Sequence, residues 1–261
     1  MKTDNEIGVY DSGVGGLTVL KELVKQMPNE KYIYFGDLKN LPYGEKSKEE
    51  LLKIGEKIFD FFASENVKAV VMACNTTSAL IYDELKDKYS FKIYPVIQTV
   101  AKDIAKQKIN KLGIFATSAT INSHAYKNEI NKYNEITEVY EQACPDWVKI
   151  VESGNFDEKN VETVKNDLMK MLKHKPDKII LGCTHYPYLT DILSKYADKE
   201  IFVNPAKRLA ELIKEDMQSC KLLSKNNFLS QRFYVSENPQ KFKESSNLFY
   251  PIKTCPLLKN L

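Results

Sequence analysis

VYDSGVGGLTVL, residues 9–20, runs from an apolar stretch through an acid and a hydroxyl (Asp11, Ser12) into three glycines (Gly13, Gly15, Gly16) and out into an amphipathic segment. Apolar run, glycine turn and helix start describe a β-strand delivering the chain to a helix N-terminus. Backbone N–H groups at such a turn stand at the positive end of the helix dipole, so the expected guest of the loop is an anion. A nucleotide phosphate fits the letters poorly. Thr18 stands where the third glycine of a dinucleotide fingerprint belongs, and no Gly-Lys-Ser/Thr follows as in a phosphate-binding loop. A carboxylate suits the same donors.

The same unit recurs along the chain. IGVY, YIYFGD, KAVVMAC and KIYPVI alternate with the helical patterns GLTVLKELVKQ, KEELLKIGEKIFDFFASE, TSALIYDELKDKY and VAKDIAKQ. The apolar runs are continuous rather than alternating, as expected of strands buried on both faces of a parallel sheet with helical crossovers. YIYF and FDFF read as core on the same grounds, and KEELLKIGEK as a solvated helix face with charge pairs. The pattern then restarts: LGIFATSAT, a helix near 122–132, EVYEQAC, a helix at 160–173, KIILGC, a helix at 188–196 and IFVN. Gly8-Val9-Tyr10-Asp11-Ser12 lines up with Gly113-Ile114-Phe115-Ala116-Thr117, and KAVVMACNTTS (68–78) with DKIILGCTHYP (177–187). Gly8 precedes Cys74 by 66 residues and Gly113 precedes Cys183 by 70. An internal repeat follows. The expected architecture is α/β, two pseudo-symmetric parallel-sheet domains with the active site in the cleft between them. The first covers 1–97 and is completed by 207–261, where PAKRLAELIKEDMQS and RFYVSENPQKFKESSNLF return to cover it; the second covers 98–206.

The bulk numbers exclude several classes. The chain has 261 residues, 43% of them hydrophobic, and carries a net charge of +3 from 38 basic and 35 acidic side chains mixed along its length. Such a balance supports neither nucleic-acid nor membrane-surface binding. No apolar run approaches transmembrane length, and the start MKTDNE lacks the apolar core of a signal peptide, so a cytoplasmic location is expected. The five cysteines, at 74, 144, 183, 220 and 255, are odd in number and contain no C-x-x-C pair. They read as free thiols rather than a disulfide framework or a zinc site. Taken singly, a cysteine is a small buried hydrophobe.

Cys74 and Cys183 read differently. Each stands at the carboxyl end of a buried strand, the edge at which open parallel sheets bind ligands. Each is followed at once by polar residues, Asn75-Thr76-Thr77-Ser78 in one case and Thr184-His185-Tyr186-Pro187 in the other. If the domains face each other about a pseudo-two-fold axis, the thiols flank one cleft, with Asp11 and Ser12 beside them. Two acid–base groups on opposite sides of a small anion suit removal of a proton from one face of a carbon and its return to the other. Asp11 near Cys74 and His185 near Cys183 would be their local proton partners, and a thiolate is a soft base whose affinity for protons responds to helix N-termini and nearby charge.

Through DSGVGGLTVL (11–20), GDLKNLPYG (36–44), ACNTTSA (73–79), ATSATINSHAY (116–126), ACPDWVKIVESG (143–154) and LGCTHYP (181–187), the chain resembles the glutamate racemases of the aspartate/glutamate racemase superfamily. The resemblance implies a cofactor-free two-base racemase that interconverts L- and D-glutamate and supplies D-glutamate for peptidoglycan. Cys74 would act on the D-enantiomer, assisted by Asp11, and Cys183 on the L-enantiomer, assisted by His185. Ser12, Tyr43, Gly44, Asn75, Thr76 and Thr184 would bind substrate, joined by Asp11, His185, Thr117, Thr120 and Glu152. It further implies a cytoplasmic homodimer with a small-molecule substrate and no metal, nucleic acid or membrane. Asn40-Leu41 departs from the Ala-Arg common before the PYG block, Thr77 replaces a common alanine, and Asn204-Pro205-Ala206 stands where an acid is frequent. None removes a reacting group.

Competing readings are an aspartate racemase or another cysteine-dependent racemase, a non-catalytic two-lobed binder of small anions, and a thiol hydrolase. A binder needs no pair of matched thiols, and a hydrolase leaves one of them unexplained. His124 and His174 read as surface or helix-packing residues, and Cys144, Cys220 and Cys255 as structural.

Overall fold

In the computed structural model, which describes residues 3–225 and 229–261, the chain divides into two compact units, Met1–Val96 with Ala206–Leu261 and Ile97–Pro205. The first opens with β1 (Ile7–Asp11), α1 (Leu17–Gln26), β2 (Lys31–Gly36), α2 (Lys48–Ser64), β3 (Ala69–Met72), α3 (Asn75–Leu80), α4 (Tyr82–Leu85) and β4 (Lys92–Pro95). The helix α5 (Val96–Ile104) leads on to β5 (Lys111–Ala116), α6 (Ser118–Asn122), α7 (Ala125–Asn131), β6 (Glu138–Ala143), α8 (Asp146–Ser153), α9 (Glu158–Leu172), β7 (Lys178–Gly182), α10 (Thr190–Leu193) and β8 (Phe202–Val203). The chain then returns through α11 (Pro205–Ser219) to β9 (Ser230–Val235), α12 (Pro239–Phe249) and β10 (Leu257–Leu258) of the first unit. Among the described residues no helix is long and apolar enough to cross a membrane.

Both sheets are wholly parallel. Their orders are β10-β9-β2-β1-β3-β4 and β6-β5-β7-β8. Without β9 and β10 the first has the order second-first-third-fourth, and the second repeats it. The register repeats as well: Gly8 pairs with Val70 across β1 and β3, and Gly113 with Ile179 across β5 and β7. Both glycines serve close helix packing. A Cβ on Gly8 would meet the Phe62 ring of α2 at 2.8 Å, and one on Gly113 would meet Met171 Sδ of α9 at 2.7 Å.

The strands are buried end to end where the apolar runs are continuous, as in β1 and β3. Tyr32, Tyr34, Phe35, Phe59, Phe61 and Phe62 are all buried, and each such side chain contributes about 1.5–3 kcal/mol by leaving water. A capping box fixes the start of α2: Ser47 Oγ accepts from Glu50 N, and the Glu50 side chain accepts from Ser47 N. At the amino-terminal edge of the first sheet, Lys68 is fully buried against Glu30, with Nζ 2.5 Å from Glu30 Oε2 and donating also to the Thr3 and Leu222 carbonyls. Glu30 Oε1 accepts from Ser224 N.

Three helical patterns are shorter than their periodicity. The stretch after Cys74 breaks at Ile81, whose φ is −125° and ψ −2°. The helix expected near 122–132 is α7, which begins only after His124 in the left-handed φ of 52°, a conformation histidine tolerates better than most residues; α6 precedes it, in residues read as the end of the LGIFATSAT run. The stretch 188–196 resolves into a 3-10 turn, Tyr186–Leu189, with a proline near its start, and the single-turn α10. RFYV also does more than cover the first unit. As part of β9 it pairs with β2 and extends the sheet.

Candidate active site

The opening loop holds a carboxylate, and that carboxylate is its own. Asp11 ends β1 fully buried, and its Oδ2 accepts from Gly13 N at 3.1 Å and Gly16 N at 2.9 Å. Gly16 is the N-cap of α1 and no side chain caps it from its own position, so Asp11 supplies the negative charge at the dipole's positive end. This close wrap requires glycine. A Cβ on Gly16 would lie 2.3 Å from Asp11 Cβ and 2.7 Å from Tyr34 Oη. Tyr34 donates to the Gly13 carbonyl at 2.7 Å and pins the loop from β2.

Cys74 follows β3 by two residues and is the N-cap of α3, with an extended φ of −70° and ψ of 124°. Its carbonyl accepts from Ser78 N at 3.1 Å, and Sγ lies 4.0 Å from Ser12 Oγ. Cys74, Ser12, Asn75 and Thr76 are buried. Polar groups withdrawn from water at strand ends are costly unless they are bonded, so four in one place mark a built site rather than a surface.

Tyr43 and Gly44 open a 3-10 turn, Tyr43–Glu45. The Tyr43 hydroxyl is committed inward: it accepts from Tyr10 Oη at 2.9 Å and donates to Asp37 Oδ2 at 2.6 Å. Asn40 Nδ2 donates to both oxygens of the same carboxylate, at 3.1 and 2.9 Å. Burial pushes both hydroxyls far above their ordinary range; at Tyr43 the neighbouring Tyr10 and Asp37 add to it, and at Tyr10 the bond to Tyr43 opposes it without cancelling it, so both remain donors. What the turn offers a ligand is backbone N–H, since the first amides of a helical turn have no partner within it.

In the second unit Cys183 follows β7, and its carbonyl accepts from Tyr186 N at 3.1 Å, the start of a 3-10 turn. The Cys183 thiol lies 3.7 Å from His185 Nδ1, and His185 Nε2 lies 3.0 Å from Glu152 Oε1. Burial alone would lower the proton affinity of His185. The bonds to Cys183 and Glu152 outweigh it and push the imidazole up to about 10. Glu152 comes from α8, which is anchored by Trp147: its ring packs between Phe115 and Tyr186, and Nε1 donates to Asp167 Oδ2 at 3.1 Å. Tyr186 Oη donates to the Cys144 carbonyl at 2.7 Å, fixing the loop that carries the thiol. Thr117 is the N-cap of α6, with Oγ1 3.1 Å from Thr120 Oγ1; Thr120 and Thr184 are buried.

The repeat therefore places the thiols alike and surrounds them differently. Ala116 occupies the position of Asp11, and His185 that of Thr76. Sequence reasoning named Glu152 without its link to His185, which lies 33 residues on. It missed Asp37 and Tyr10; the only signal was that Asp37 directly follows the end of β2. Tyr140 stacks on His174 with centroids 4.1 Å apart, and His124 Nδ1 lies 2.6 Å from Glu141 Oε2. Both agree with packing roles. The buried-hydrophobe reading of the other cysteines fits Cys144, whose thiol burial pushes up strongly, but Cys220 and Cys255 are exposed.

A model of the Asp/Glu/Hydantoin racemase family matches residues 7–213, a span that contains every residue named above from Asp11 to His185. The chain belongs to that family. It is 38% identical over 244 residues to a glutamate racemase of Carboxydothermus hydrogenoformans, covering 93% of this chain and 91% of the relative. With glutamate racemase 2 of Caldanaerobacter subterraneus it shares 40% identity over 245 residues, 93% of this chain and 92% of the relative. The structure of Francisella tularensis glutamate racemase in complex with D-glutamate superposes with a TM-score of 0.90 at 33% identity, over 99% of this chain and 98% of that one. The racemase is thus an isomerase of two parallel-sheet α/β units.

The His185 environment has a consequence for the racemase's pH dependence. Its folded value near 10 lies above the unfolded value of 6.5, so its stabilising contribution is complete below about pH 6.5 and is lost as pH rises through about 10. Glu152→Gln removes one of the two groups that raise it. Thermal melts are expected to show the native protein ahead of Glu152→Gln by less than about 1 kcal/mol near pH 6, since Glu152 is partly exposed, with the gap closing toward pH 10. A gap that widens with pH contradicts the assignment.

Proposed function

We propose that this chain is a glutamate racemase in which Cys74 and Cys183 act from opposite faces of the substrate α-carbon, without a cofactor. The observation that carries the reading is the shared register: two thiols at the same place in two copies of one sheet, each just past the third strand. From the D-enantiomer, the Cys74 thiolate takes the α-proton and the Cys183 thiol delivers one to the other face; the L-enantiomer reverses the roles. The proton count closes in each direction. Asp11 holds the Ser12 loop in place beside Cys74, and the His185 imidazolium, steadied by Glu152, stabilises Cys183 as thiolate and returns its proton. Ser12, the Tyr43–Gly44 turn, Asn75, Thr76, Thr117, Thr120 and Thr184 hold the substrate's ammonium and carboxylates. The product, D-glutamate, serves peptidoglycan synthesis in the cytoplasm, and the active form is a homodimer.

The deciding experiment follows optical rotation of L-glutamate, D-glutamate and both aspartates by circular dichroism, using chelator-treated protein with no pyridoxal phosphate added. Glutamate is expected to racemise fully from either side. Turnover of aspartate in its place makes the chain an aspartate racemase; activity restored only by a metal refutes the cofactor-free mechanism; binding without turnover leaves a two-lobed binder.

A further inference from the structure

Asp37, which holds Tyr43, also lines a cavity of about 300 Å³ in the first unit. Its walls are the end of β2 with the 37–40 loop, one face of α2, Ser236 just after β9, and the last two residues, Asn260 and Leu261. Lys39, Lys53 and Lys57 line it, together with Asn40 and Ser236, while Phe35, Ile54 and Ile58 give it an apolar side. Lys53 and Lys57 are four residues apart on one helix face, where like charges repel. Among the described residues no side-chain carboxylate forms an ion pair with any of the three lysines. Lys57 Nζ donates to a main-chain oxygen of Leu261, the last residue in the structure, at 3.3 Å. Ser236 Oγ accepts from Lys39 N at 3.0 Å and keeps its own proton to donate. Converging cations, an amide and a hydroxyl around a concave space with an apolar wall match a compact, multiply charged anion on a small hydrophobic body.

We propose that this cavity is a second binding site, for a small phosphate monoester with an apolar body, and that its occupancy is felt at the substrate turn. The phosphate takes the three ammonium groups and the Asn40 amide; the body lies along Ile54 and Ile58. Asn40 now donates to both oxygens of Asp37, and Asp37 accepts from Tyr43. An anion that draws the amide away loosens the Tyr43–Glu45 turn. This coupling rests on the reading that the turn binds glutamate; the binding site does not.

Phenyl phosphate is the probe, titrated into the full chain at low ionic strength by calorimetry and by backbone amide shifts, with inorganic phosphate and benzyl alcohol as controls. A dissociation constant of about 1 mM or tighter is expected, with shifts at residues 37–40 and 53–58, weaker binding of inorganic phosphate and none of benzyl alcohol. Lys53→Gln/Lys57→Gln, which alters only exposed side chains, is expected to weaken binding about tenfold or more and added salt to weaken it further. In the native protein phenyl phosphate raises KM for glutamate, and in the double variant, whose basal kinetics are unchanged, it does not. Unaltered affinity in the double variant, shifts confined to residues around Ser12 and Cys74, or no binding at about 20 mM overturns the site. Lysine-dependent binding with an unmoved KM keeps the site and overturns the coupling. Neither binding readout needs turnover, so failure of the racemase reading is distinguished from failure of the site.

Discussion

Cys74→Ser and Cys183→Ser are each expected to lose racemisation by at least a factor on the order of 10²–10⁴, the contribution of a positioned acid–base group. A hydroxyl is a far weaker acid than a thiol, so serine leaves one face of the substrate without a proton carrier. Both replacements are nearly isosteric, and both sites lie at strand ends rather than inside the sheets, so folding is expected to survive. The two variants then separate through a half-reaction. With an amino acid bearing a leaving group on the β-carbon, loss of the α-proton expels the leaving group and no reprotonation is needed. Cys74→Ser should eliminate from the L-form through Cys183, and Cys183→Ser from the D-form through Cys74. The surroundings add a further asymmetry, because Cys183 has the His185 imidazole 3.7 Å away and Cys74 has the Ser12 hydroxyl at 4.0 Å. Stopped-flow detection of the elimination product with each enantiomer checks both claims. If both variants favour one enantiomer, or either retains racemisation, the two-thiol mechanism is wrong.

Lys68→Met is expected to destabilise the first unit by about 3–5 kcal/mol, the usual cost of leaving one member of a buried ion pair without the other. Lys68 and Glu30 have side-chain exposures of 0% and 3%, and Lys68 also ties the Thr3 and Leu222 carbonyls into the same knot. Its ammonium is held below the ordinary lysine range by burial, with Glu30 opposing. Set against total stabilities of about 5–15 kcal/mol, the loss is large. Lys68→Met/Glu30→Gln removes both charges and should recover a substantial part of it. Urea titrations of the two variants decide the matter: equal midpoints would mean that the charge on Glu30 is not what the lysine neutralises.

The periodicity of the apolar runs was enough to read two parallel-sheet repeats, because strands buried on both faces must be continuously apolar, and a parallel sheet needs a helix between successive strands. Alignment of Gly8 with Gly113 and Cys74 with Cys183 predicted matched registers, and both sheets have them. Chemistry carried by adjacent letters was equally legible: His185 beside Cys183 is a contact the backbone can hardly avoid. Helix ends were less so. Apolar spacing runs through Ile81 and His124 although the backbone does not, since periodicity records which residues leave water and not where the backbone turns.

Tertiary structure alone decided what long-range hydrogen bonds do. Glycines 13 and 16 announced an anion site, but that the anion is Asp11 follows only from the turn of the chain over its own carboxylate. Glu152 reaches His185 because Trp147 anchors α8 among Phe115, Tyr186 and Asp167. Tyr43 was expected at the substrate, yet its hydroxyl points to Asp37 and Tyr10. Lys68, an ordinary surface letter at the head of a strand, is buried because Glu30 and two carbonyls converge on it. Periodicity records which face of an element leaves water. It carries no information on which distant donor meets which acceptor, and in this protein the surroundings of both thiols are made of such meetings.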